Sequence, residues 1–138
     1  MKEGSESGQE GRIVHALAMR YVCLFMGLLF CLFTYWQTND LGQYHTEKWY
    51  LWVGAYALCA VISIVSFFRR LPRAVYISVA VTAFVGGVVR VMSVEWSKKI
   101  LYNVDNPSGN ETGGLLIVAI WMVILAFKRS VATEQKGG

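Results

Sequence analysis

Four apolar runs divide the chain: Tyr21–Trp36, Trp49–Phe68, Ala74–Val94 with Arg90 interrupting it, and Gly113–Phe127. Crossing the hydrocarbon of a bilayer takes about 20 apolar helical residues, with about 17 as a lower limit. Only the second run meets that length without a charge. The first reaches it by extending back through Ala16, provided Arg20 carries its guanidinium to the headgroups on its apolar stem. The fourth is short, so its polar entrance "GNET" should sit at the hydrocarbon boundary or partly within it. The pattern predicts one domain, 16–128, with transmembrane helices near 16–36, 49–68, 74–94 and 113–127.

The connections fit that division. Between the first two helices lies a polar loop, Gln37–Lys48, and the basic turn "RRLPR" follows the second. Pro72 ends one helix and starts the next, so the second and third should form an antiparallel hairpin. A longer loop, "SVEWSKKILYNVDNPSGNET", carries the turn formers Asn106, Pro107, Ser108 and Gly109 before the fourth helix. Residues 1–15 read as a disordered or interfacial tail and 129–138 as a second tail, from their polar, Gly- and Glu-rich composition. No internal repeat is visible.

Three helices carry small or weakly polar residues at roughly helical spacing: Cys23, Gly27, Cys31 and Thr34; Tyr56, Cys59, Ser63 and Ser66; Ser78, Thr82, Gly86 and Arg90. Small residues let membrane helices approach closely, so these stripes should face one another. The predicted architecture is an all-α membrane protein, a four-helix antiparallel bundle. Trp36, Trp49, Tyr50, Trp52, Trp96 and Tyr102 would form an aromatic belt at one interface.

Composition agrees. Of 138 residues, 55% are hydrophobic and 16% charged, too apolar for a soluble domain of this size. The net charge of +4 is spread over loops and tails, which suits an anionic membrane surface and excludes a nucleic-acid partner. Of the 13 Lys and Arg, only Lys48, Arg90, Lys98 and Lys99 fall on the face opposite the termini, which predicts both termini to be cytoplasmic. The first 20 residues are too polar for the core of a secretory signal, so the first helix is expected to stay attached.

Arg90 is the most informative residue, because an arginine inside a span is costly unless partnered. Asp40, after the first helix, and Glu111, before the fourth, are the acids expected on the same membrane face. Three readings stand: an ion pair locking the helices, snorkelling to headgroups, or binding of a ligand anion. Glu111 at a helix entrance would also serve as a cap, accepting from free backbone amides. Turned inward toward Asp40 and Asn39 it would make an oxygen cluster, but two acids and one amide are too few to specify calcium.

Other chemistry finds little support. Cys23, Cys31 and Cys59 lack metal or redox spacing and read as small core residues. His15 and His45 have no second histidine at ligand spacing, and no helix interior offers a histidine to haem. The methionines read as packing. Asn110, Glu111 and Thr112 match a glycosylation sequon on the non-cytoplasmic face, but its closeness to the membrane gives it little weight. No nucleophile, base and acid arrangement and no phosphate loop is present. No cofactor, metal or catalytic residue is therefore assigned.

The patches "QTND" at the end of the first helix, "WVGAY" opening the second and "ETGGLLIVAIW" opening the fourth resemble the transmembrane protein 220 family. The matching positions are Asn39, Asp40, Trp52, Tyr56, Glu111, Gly114, Leu115 and Trp121. Leu41 stands where the family commonly has proline, and Arg90 lies outside its pattern. The resemblance implies a small multipass membrane protein and no particular activity.

Two functional readings follow. The first is a small non-enzymatic integral membrane protein, an accessory or structural subunit of a membrane assembly or a homo-oligomer, in which Asn39, Asp40, Arg90 and Glu111 lock the helices. The second is a ligand-binding or transport protein using that cluster as an outward-facing pocket lined by Trp49, Trp52, Tyr56 and Trp121. An enzyme acting on a lipid or quinone ranks third and would need Asp40 or Glu111 beside an apolar cleft.

Overall fold

In a computed structural model of the protein, backbone is described over residues 3–43, 49–100 and 107–134, and side chains at 11, 14–38, 49–100 and 108–128. The described residues form four helices and no strand: α1 (Glu3–Gln43), α2 (Trp49–Phe68), α3 (Arg73–Val91) and α4 (Pro107–Glu134). Each contains a stretch long and apolar enough to cross a membrane: Val14–Thr38, Trp49–Phe68, Arg73–Val91 and Ser108–Lys128. The chain is an integral multipass membrane protein.

Two helices outrun their expected limits. α1 takes in most of the segment read as a tail and the first part of the segment read as a loop, and α4 starts six residues before Gly113 and continues to Glu134. Once an apolar span has nucleated a helix, each further residue adds a hydrogen bond at little cost. Nothing in α1 stops that propagation, because the two prolines of the chain lie elsewhere. Both mark helix starts: Pro72 is the N-cap of α3, and Pro107 is the first residue of α4, where a missing N–H costs nothing.

α1 and α2 pack as one antiparallel hairpin. Arg20 meets Phe67, Gly27 meets Ala60 and Ile64, and Phe33 meets Tyr56, so the contacts run in opposite directions along the two helices. A Cβ at Gly27 would lie 2.6 Å from Ile64 Cγ1, so glycine is what permits this approach. Around it Cys23, Phe30, Cys59, Ala60, Ile62 and Ser63 are buried. The expected small-residue face of α2 is thus in the contact at Tyr56, Cys59 and Ser63, whereas Cys31 of α1 is exposed. Ser63 and Ser66 donate to the Cys59 and Ile62 carbonyls at 2.8 and 2.6 Å, which satisfies both hydroxyls within the helix.

α3 and α4 form the second hairpin. Here half of the expected face is in the contact, Gly86 and Arg90 meeting α4, and half is corrected: the buried residues of α3 are Tyr76, Ala80, Ala83 and Gly87, while Ser78 and Thr82 are exposed. Alanine and glycine allow as close an approach as serine and threonine. Thr82 also needs no partner helix, because its hydroxyl donates to the Ser78 carbonyl at 2.9 Å. On α4, Leu115 and Leu116 meet Gly86 and Gly87, and Val118, Ala119, Trp121, Met122, Leu125 and Ala126 are buried.

Candidate functional site at the head of the second hairpin

Arg90 is the penultimate residue of α3 and Glu111 the fifth of α4. Antiparallel packing sets them opposite each other, with Gly86 and Gly87 against Leu115 one turn deeper. Arg90 Nε lies 2.9 Å from Glu111 Oε2; the glutamate side chain is 9% exposed and the arginine 36%. Both charges also sit where helix dipoles favour them, a cation at a C-terminus and an anion near an N-terminus. The arginine expected to need a partner has one, and Glu111 lies a full turn inside α4 rather than capping it, because the helix begins at Pro107.

The chain leaving α3 returns to the first turn of α4. Ser93 and Val94 N–H groups donate to the Arg90 and Val91 carbonyls at 2.9 and 3.2 Å, and these turns tuck Val94 into the interior. Further on, Lys98 donates its backbone N–H to the Glu95 carbonyl, and its ammonium lies 2.7 Å from the Glu95 carboxylate. Ile100 then rests its carbonyl directly on Gly109, where any Cβ would collide with it. Beneath, Ser108, Glu111 and Thr112 are buried, and the Thr112 hydroxyl donates to the Ser108 carbonyl at 2.7 Å. The sequon threonine is therefore buried in a helix, a poor setting for glycosylation, which takes surface loops.

The structure brings only part of the expected constellation together. Arg90 and Glu111 meet, whereas the side chains of Asn39 and Asp40 lie outside the described residues, as do His45 and Tyr102. Trp49, Trp52 and Tyr56 belong to the first hairpin. Trp52 lies 6.5 Å from Tyr56, and Tyr56 meets Phe33 edge-on at 5.5 Å, with Trp36 stacked on Phe33 at 5.9 Å. Trp121 is buried in the second hairpin. Among the described residues no three His, Cys, Asp or Glu side chains are placed to hold a metal ion.

The sequence reading took Ser108 for a turn former and Thr112 for part of a sequon, where their four-residue spacing beside Glu111 was the signal of one helix face. It also missed Phe33, which has the same spacing from Trp36 as Phe30 has from Phe33 and holds both rings.

A family model described as "Transmembrane family 220, helix" matches residues 29–127, a range that includes Arg90 and Glu111. No curated protein and no solved structure matches the chain.

Proposed function

The chain belongs to transmembrane family 220, and from that premise we propose that it acts as a small non-enzymatic subunit of a membrane assembly, with the Arg90–Glu111 pair as a structural lock. The observation that carries the lock is the 2.9 Å ion pair itself. A carboxylate and a guanidinium that neutralise each other, each also favoured by a helix dipole, hold two helices in register. They leave little charge over for a substrate. A ligand-anion site would instead present Arg90 to a cavity.

The subunit role draws on the rest of the surface. Large apolar side chains such as Phe84, Val85, Val88 and Val89 on α3 are exposed, surface that lipid or another membrane helix would cover. The distribution of Lys and Arg supports cytoplasmic termini, with the Arg90–Glu111 end on the opposite face.

Native mass spectrometry of the protein purified in gentle detergent tests the reading. A stoichiometric protein partner or a homo-oligomer is the expected result. A bound small molecule that disappears in Glu111→Gln, with helicity intact, would replace the lock by an outward-facing binding pocket.

A further inference from the structure

We propose that the far end of the α1–α2 hairpin binds an anionic lipid, its headgroup phosphate held by Arg20, Arg69 and Arg70. The inference is independent of the role assigned to Arg90 and Glu111.

It begins with a backbone group that α2 cannot satisfy. The Phe67 carbonyl would ordinarily accept from the N–H four residues on, but the Leu71 N–H donates instead to the Tyr76 hydroxyl at 3.3 Å. Arg20 takes its place: its Nε donates to the Phe67 carbonyl at 3.0 Å, and its guanidinium lies 5.3 Å from the centre of the Phe67 ring. Arg20 thus holds a fixed position at the end of the span, because an orphan carbonyl at a helix C-terminus favours a cation. A guanidinium carries five N–H donors, so this bond leaves its Nη donors for another acceptor.

Arg69 and Arg70 follow within three residues of Phe67, and both are exposed. The Arg69 N–H still donates to the Val65 carbonyl at 2.8 Å, so α2 carries this arginine on regular backbone. No aspartate or glutamate occurs from Gly11 to Asn39 or from Lys48 to Val94, and among the described residues none of the three arginines has an ion-pair partner. Three guanidinium charges thus gather where the hairpin supplies no counter-charge.

Their depth identifies the counter-charge. Trp49–Phe68 is 20 residues, which at 1.5 Å per residue is about 30 Å, the thickness of the hydrocarbon. The residues after Phe67 therefore reach the headgroups. Tyr21 and Phe68, both exposed, lie at the same level and pack their ring edges on Phe67 at 6.4 and 4.8 Å, the arrangement of an interfacial aromatic anchor. A planar guanidinium matches phosphate bidentately. A zwitterionic lipid brings its own cation to that phosphate, so the unbalanced positive charge selects an anionic lipid over a neutral one.

The test equilibrates the full-length protein with vesicles of equal phosphatidylglycerol and phosphatidylcholine and reads retained lipid by native mass spectrometry. Phosphatidylglycerol should be retained in preference. Arg69→Gln with Arg70→Gln should lower its retention by about fivefold per arginine removed. Arg20→Lys, which keeps the charge without the planar fork, should lower it less, and Lys98→Gln with Lys99→Gln should leave it unchanged. Far-UV circular dichroism establishes that each variant remains helical; if the glutamine pair does not, Arg20→Lys alone decides. Equal retention of the two lipids, unchanged retention in the arginine variants, or displacement of the lipid by millimolar inorganic phosphate would overturn the proposal.

Discussion

Arg90 Nε and Glu111 Oε2, 2.9 Å apart, join the last turn of α3 to the second turn of α4 and place each charge at the helix end that favours it. Removing one member leaves the other as an uncompensated charge at the edge of the hydrocarbon. For a fully buried pair that costs about 3–5 kcal/mol. Solvent reaches Arg90, so Arg90→Met or Glu111→Met should cost less, on the order of 2 kcal/mol. The double variant Arg90→Met with Glu111→Met should recover most of the loss, because an apolar pair in apolar surroundings leaves no charge unpaired. Reversible unfolding in mixed micelles of increasing SDS fraction reads this directly; a double variant as unstable as the sum of the singles would sink the lock.

Gly27 and Gly54 separate close approach from helix propensity. Leucine at position 27 must displace Ile64 and should destabilise the first hairpin by about 1–3 kcal/mol. Nothing lies within 4 Å of a Cβ at Gly54, so Gly54→Ala should be neutral or stabilising by up to about 1 kcal/mol. The same unfolding assay checks both, and equal effects at the two positions would contradict the packing.

Gly109 is the point where the chain after α3 touches α4. A methyl group there collides with the Ile100 carbonyl, whereas a Cβ at Gly113 meets nothing within 4 Å. Gly109→Ala should therefore release the segment 94–100, seen as faster amide hydrogen exchange at Val94 and Lys98, whose N–H groups are bonded in turns. Exchange in Gly113→Ala should match the parent protein.

The cysteines should differ in reactivity. Cys31 is exposed, and Cys23 and Cys59 are buried between α1 and α2. A membrane-permeant maleimide should label Cys31 first in the native protein and all three after denaturation, with peptide mass spectrometry locating the label. First labelling at Cys59 would mean that α2 turns a different face to α1.

Glu111 and Arg90 also show where sequence reasoning ends. An arginine in a span is costly unless its charge is partnered or reaches the headgroups, so its need was legible, and so were four spans from the length of the apolar runs. The choice of Glu111 depends on how α3 and α4 meet, and that register is set by Gly86 and Gly87 against Leu115. The site is moreover partly inside a helix that begins six residues before its apolar run.

The sequence by itself determined the membrane class, the number of spans and the small-residue face of α2, because an unsatisfied backbone in hydrocarbon forces apolar segments of that length into helices. Only the tertiary structure decided that α3 turns Ala80, Ala83 and Gly87 inward rather than Ser78 and Thr82, and that Arg20 caps α2 at Phe67. The physical reason is common to both. Lipid tails are as apolar as leucine, so hydrophobic periodicity does not distinguish a lipid-facing side of a membrane helix from a protein-facing one. What distinguishes them is the shape of the opposing helix and the backbone groups it leaves unsatisfied, and these exist only once the hairpins have formed.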